Sequence, residues 1–223
     1  ISSHRTKMKL MLLYFADNDL CGRLNVENMP NQLRLELLAS HLTDRKVFQD
    51  SEGEFHDIAE WFGVIQSGND IIKVVWPHIL YDEFDDVSDD DGPYPGGSID
   101  LCWLPRTVTH FDVSRMDLEG QVATAGLPRN LVRLNVRDNK LDGSFHVEGL
   151  PSVLEFVDIS RNRFSGPLHI DFLPQTMRVF RGSSNKFSGT LNFPSVKCSE
   201  ISLLYLDCNH FHGTVDLLEL PRR

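Results

Sequence analysis

The residues that could do chemistry in this 223-residue chain are few and poorly grouped. The densest group is the acidic run DEFDDVSDDD, in which Asp82, Glu83, Asp85, Asp86, Asp89, Asp90 and Asp91 could hold calcium or dock on a basic partner. A calcium loop of the form D-x-[DN]-x-[DN]-G, with its glycine at Gly92, would start at Val87 and take its twelfth position at Ser98. Neither is a carboxylate, so the run reads as a solvated or docking segment. His210 and His212 flank Phe211, which falls in an apolar slot; both imidazoles should point outward with no third ligand in phase, which argues against zinc. No G-x-S-x-G, H-E-x-x-H, phosphate-loop or dinucleotide motif occurs. The reading is a non-enzymatic chain without a cofactor or metal.

The cysteines Cys21, Cys102, Cys198 and Cys208 form no C-x-x-C pair and no terminal cluster, and no asparagine begins an N-x-[ST] sequon. Both points favour free thiols in a reducing, cytoplasmic setting. The opening HRTKMKLMLLYFA has the basic-then-apolar order of a secretory signal. Its Leu13, Phe15 and Asn18 nevertheless keep the register of the repeat described next, and read as a first strand.

Composition narrows the partners. Lys plus Arg is 22 and Asp plus Glu is 32, a net charge of −10. That balance argues against nucleic acid or an anionic membrane as the main partner, since both demand basic surface. No apolar run approaches the ~18 residues that would span a bilayer.

The elements that position these groups come from a repeat. Leu-Pro recurs at Leu104-Pro105, Leu127-Pro128, Leu150-Pro151 and Leu173-Pro174. Asn139, Asn162, Asn185 and Asn209 form a second column, and Gly120, Gly143, Gly166, Gly189 and Gly213 a third, in the same 23- to 24-residue phase. Within one unit, Leu131, Leu134, Val136, Asn139 and Leu141 read L-x-x-L-x-V-x-x-N-x-L. Alternation around Leu134 and Val136 predicts a short half-buried strand. Asn139 stands where the chain leaves that strand, and its amide can satisfy backbone groups of neighbouring coils. Ser144 to Val147 alternates again and predicts a second strand on the convex side. Gly and Pro in the return path leave no room for a full helix.

This pattern resembles the leucine-rich repeat family, in the short-repeat form of protozoan and plant members. The resemblance implies a leucine-rich-repeat solenoid, a β-rich version of the α/β horseshoe class, with the whole chain 1–223 forming about seven coils. Residues 11–30 read as a first coil, and Leu33, Leu35, Leu37, Ser40 and Leu42 as the start of a second. The pattern then lapses and resumes at Gly97, so 45–96 reads as an acidic insertion within the second repeat, carrying a short helix around Phe55 to Ile65 and a β-rich stretch at 70–80.

In this family the strands line a concave face whose outward residues bind partners. Projected phase places Tyr14, Glu36, Asp112, Asn135, Asp158, Arg181 and Tyr205 in one column. Leu12, Arg34, His110, Arg133, Phe156, Val179 and Leu203 precede it; Ala16, Leu38, Ser114, Arg137, Ser160, Ser183 and Asp207 follow. Tyr14, His110, Arg133, Asn135, Arg137, Phe156, Asp158, Arg181 and Tyr205 are the candidate partner-binding residues, rich in the arginines and aromatics that dominate interfaces. The expected function is a protein-interaction module, intracellular, with another protein as partner and no direct contact with nucleic acid or membrane. The alternatives are a structural subunit of a larger assembly docking through its acidic insertion, and an extracellular receptor fragment.

Overall fold

The computed structural model describes residues 29–76, 95–191 and 200–214. The chain enters through helix α1 (Asn31–Ala39), which follows Pro30. Its sequence NQLRLELLA consists largely of good helix formers, and Leu35, Leu38, Ala39 and Leu42 fall at the i, i+3, i+4, i+7 spacing of one helical face. All four are buried. The second coil expected here is therefore a helix. Arg34 and Glu36 are not concave-face residues but buried helix positions, and Leu38 lies in the core. Tyr14 and the first coil lie outside the described residues.

A 3₁₀ turn at Ile58–Glu60, capped by the Asp57 carboxylate, takes the place of the helix expected near Phe55 to Ile65. It leads into an antiparallel hairpin of β1 (Val64–Ser67) and β2 (Asp70–Val75). Strand β2 then pairs in parallel with β4 (His110–Asp112). Residues 70–75, within the expected 45–96 insertion, thus extend the main sheet, and Asp44 N donates to the Pro95 carbonyl at 2.9 Å where that segment leaves and returns. The reason is that Val74 fills the slot that Phe111 and Leu134 fill in the following coils, all three fully buried. Phe48, Trp61 and Trp76 pack beneath the hairpin, with Phe48 4.6 Å from Trp61 and 5.0 Å from Trp76 between ring centroids.

From β4 onward the 23-residue repeat becomes geometry. Strands β6 (Arg133–Asn135), β8 (Phe156–Asp158), β10 (Val179–Arg181) and β12 (Leu203–Tyr205) follow. The sheet has seven strands in the order β1-β2-β4-β6-β8-β10-β12. Between them run β3 (Gly97–Ser98), β5 (Leu118–Gln121), β7 (Lys140–Asp142), β9 (Ser165–Pro167), β11 (Lys186–Gly189) and β13 (His210–Phe211). These form two three-stranded sheets on another flank. The second strand of the coil is therefore Lys140–Asp142, directly after the asparagine, and not Ser144 to Val147, of which Val147 opens a 3₁₀ turn. Among the described residues the return paths hold such single turns, as at Leu101–Trp103, Thr124–Gly126 and Ile170–Phe172.

The asparagine column holds the coils together. The Asn139 carboxamide oxygen accepts from Met116 N and Leu118 N of the preceding coil, and its nitrogen donates to the Val113, Val136 and Arg137 carbonyls. Asn162, Asn185 and Asn209 repeat the arrangement one coil further on each time. Inside, Phe164, Phe187 and Phe211 stack at successive 6.2 Å intervals.

Candidate binding face

From β4 onward the strand register reproduces two of the three columns projected from phase, whereas Arg34, Glu36 and Leu38 fall on helix α1. Lys73, His110, Arg133, Phe156, Val179 and Leu203 lie side by side on consecutive strands, as do Val75, Asp112, Asn135, Asp158, Arg181 and Tyr205. Between them the buried row Val74, Phe111, Leu134, Val157 and Phe180 points the other way. Strand alternation therefore turns the two flanking rows out of the core together, onto one face.

On that face Arg133, Phe156, Arg181 and Tyr205 form a ladder. The Arg133 guanidinium lies 3.7 Å from the centre of the Phe156 ring, and that of Arg181 lies 5.6 Å from Phe156 and 5.8 Å from Tyr205. Arg181 also pairs with Asp158 at 3.6 Å. Asp158 is buried and accepts from the Ser160 backbone and hydroxyl, so its role is to hold the neighbouring turn and anchor Arg181. Asp112 does the same for Ser114 and takes the Asn135 amide at 2.8 Å. Asn135 and Asp158 are thus supporting groups, whereas Arg133 and Tyr205 are exposed.

Beside the ladder a depression of about 420 Å³ is lined by Arg137, Arg161, Arg181, Ser160, Ser183, Ser184, Tyr205 and Asp207. Sequence reasoning missed Arg161 and Ser184. They belong to a column directly before each asparagine slot (Arg115, Asp138, Arg161, Ser184, Cys208) whose members all have φ between 54° and 57°. The 23-residue spacing of that column was visible, but nothing in its residue types advertised a left-handed turn. Asp138 lies among Arg115 (3.7 Å), Arg137 (3.4 Å) and Arg161 (3.9 Å), which ties three coils together electrostatically. Lys73 was missed because its strand was assigned to the insertion.

The acidic residues Asp82, Glu83, Asp85, Asp86, Asp89, Asp90 and Asp91 lie outside the described residues. His210 and His212 are exposed, while Phe211 between them packs against the core. Among the described residues no group of three His, Cys, Asp or Glu side chains could hold a metal ion, and no helix is long and apolar enough to cross a membrane. Cys208 is free and exposed, whereas Cys102 is disulfide-bonded.

No protein-family model and no curated protein matches the sequence. Solved structures do. The BIR2 ectodomain from Arabidopsis thaliana is 20% identical with a TM-score of 0.62, covering 84% of this chain and 96% of its own. The PEPR1–AtPEP1 complex is 15% identical with a TM-score of 0.63, covering 81% of this chain and 25% of its own. The Arabidopsis receptor kinase HAESA, solved with the peptide hormone IDA and the co-receptor SERK1, is 20% identical with a TM-score of 0.58, covering 85% of this chain and 30% of its own. The fold is a leucine-rich-repeat solenoid. The chain spans 18% and 14% of the two receptors that match it at 28% identity.

These findings overturn the expected setting. Solved solenoids of this shape include the ectodomain of the receptor kinase SOBIR1 and the BIR2 ectodomain, both from Arabidopsis thaliana. A disulfide at Cys102 contradicts the reduced thiols on which the cytoplasmic reading rested. The intracellular location and the exclusion of a membrane are both withdrawn. On native protein denatured without reductant, a thiol probe is expected to label Cys208 and to spare Cys102 until reductant is added. Labelling of Cys102 at the outset would restore the reduced state.

Proposed function

We propose that this solenoid is a non-enzymatic, receptor-type recognition module that binds an extended peptide or protein segment across its concave sheet, outside the cell. The observation that carries the reading is the ladder of Arg133, Phe156, Arg181 and Tyr205, four anchor-type side chains brought together from four consecutive strands. Pre-stacked guanidiniums and rings lose little freedom on binding, which favours affinity. The neighbour HAESA, solved with the peptide hormone IDA, supports the same class of ligand.

The test is selection of binding peptides from a displayed random library, followed by titration against variants. Phe156→Ala and Tyr205→Ala should each weaken the selected peptides by about thirty-fold, the ~2 kcal/mol of a typical hot spot. Unchanged affinity in both variants would rule out the concave face as the recognition surface.

A further inference from the structure

The basic side chains on the concave face fall into two groups that differ in their compensation. Arg115, Arg137 and Arg161 surround Asp138, and Arg181 has Asp158. Lys73, His110 and Arg133 have no carboxylate at ion-pair distance among the described residues. They occupy the same register position on the adjacent strands β2, β4 and β6, so roughly 4.8 Å separates each from the next. The Asp112 carboxylate, in the neighbouring register column, accepts from Ser114 and Asn135 and makes no ion pair with any of the three. In a chain of net charge −10, three uncompensated basic side chains in a row form a local exception. Arg133 is also held in place by the Phe156 ring beneath its guanidinium.

We propose that Lys73, His110 and Arg133 form an anion subsite that takes an acidic side chain of the peptide, next to the aromatic anchors. This rests on the peptide-binding reading and specifies its ligand. The local chemistry adds a pH dependence. With the Thr109 hydroxyl donating to the Ile72 carbonyl at 3.1 Å, His110 Nδ1 donates to that hydroxyl at 2.9 Å. Neutral His110 then offers only a lone pair at Nε2, and protonation converts that atom into a donor. Burial holds the His110 pKa below its ordinary value, and Lys73 and Arg133 lower it further. The charged and polar groups facing it are Lys73 from β2, Asp112 from its own strand, and Arg133 and Asn135 from β6. A bound carboxylate would raise that pKa, so binding takes up a proton and tightens as pH falls.

The probes are labelled hexaglutamate and hexaglutamine, titrated by fluorescence anisotropy at salt below about 0.05 M, where screening is weak. Hexaglutamate should bind and hexaglutamine should not. Affinity should rise severalfold from about pH 7.5 to about pH 5.5, as His110 takes up its proton in the complex. Lys73→Gln should weaken binding about fivefold at both pH values while Lys73→Arg retains it, and His110→Asn should remove the rise on acidification. All three side chains are at least partly exposed, and an unchanged melting temperature verifies each variant. Equal binding of the two probes overturns the proposal, as does wild-type behaviour of both Lys73→Gln and His110→Asn. If library-selected peptides depend on Phe156 and Tyr205 while hexaglutamate fails, the subsite falls and the peptide-binding reading stands.

Discussion

Asn139→Ala is expected to destabilise the chain by about 4 kcal/mol, among the largest effects of any single side chain outside the apolar core. The Asn139 carboxamide satisfies two backbone N–H groups, of Met116 and Leu118, and three carbonyls, of Val113, Val136 and Arg137. The residue is buried, so water cannot replace it without opening the coil. Each orphaned buried group costs about 1–3 kcal/mol, and the substitution removes the partner of the two donors and of the Val113 carbonyl at once. In thermal unfolding the melting temperature should fall by ~8–16 °C for a chain of this size. Asn209→Ala, at a half-buried member of the same column, should cost roughly half as much. Equal effects at both positions would mean that burial does not set the price of the ladder.

That column was legible in the sequence for a physical reason. A repeat that must satisfy the same backbone groups every 23 residues needs one short amide at one phase, and periodicity exposes it. The concave register was legible likewise: Arg133, Phe156, Val179 and Leu203 fall side by side because the coils are equal in length except for one added residue before Leu203. What was not legible lies where the repeat is absent. Helix α1 and the β1–β2 hairpin have no copy among the other described residues. Leu35, Leu37 and Leu42 fit a degraded coil nearly as well as they fit a helix, and the decision belongs to Leu38 and Ala39, buried together with Leu35. The β-rich character of β2 was legible, but its place beside β4 was not, because the 23-residue phase gives no register for residues 70–75. The misplacement of β2 removed Lys73 from the candidate face, and with it the amino-terminal end of the basic row.

The compartment was misread for a different reason. Cysteines that lie far apart in sequence carry no pairing information by spacing, so Cys102 looked free until the fold was formed. Equally, the net charge of −10 says nothing about the local field on one sheet face. The solenoid carries its charges in rows, and a row such as Lys73, His110 and Arg133 can be basic on an acidic chain.

Gly63→Ala should cost about 3 kcal/mol or more, while Gly68→Ala, five residues on in the same hairpin, should cost only about 1 kcal/mol. Both glycines have positive φ, +75° at Gly63 and +59° at Gly68, so each substitution carries the left-handed penalty for an L-residue. The difference is space. A methyl group at Gly68 meets nothing within 4 Å, whereas one at Gly63 would overlap the Val75 carbonyl oxygen, a backbone atom that cannot turn aside. Relief requires Gly63 and Val75 to separate, which also breaks the 2.8 Å hydrogen bond from Val75 N to Gly63 O. Because each coil contacts mainly its neighbours, the damage should stay local. Amide exchange should accelerate at Val74, Val75 and Trp76, while Val157 and Phe180 keep their protection. The hexaglutamate affinity should fall with it, since Lys73 lies on the loosened strand, but peptides held by Phe156 and Tyr205 should lose far less. Uniform deprotection of all strands would instead show that the hairpin and the repeats fold as one cooperative unit.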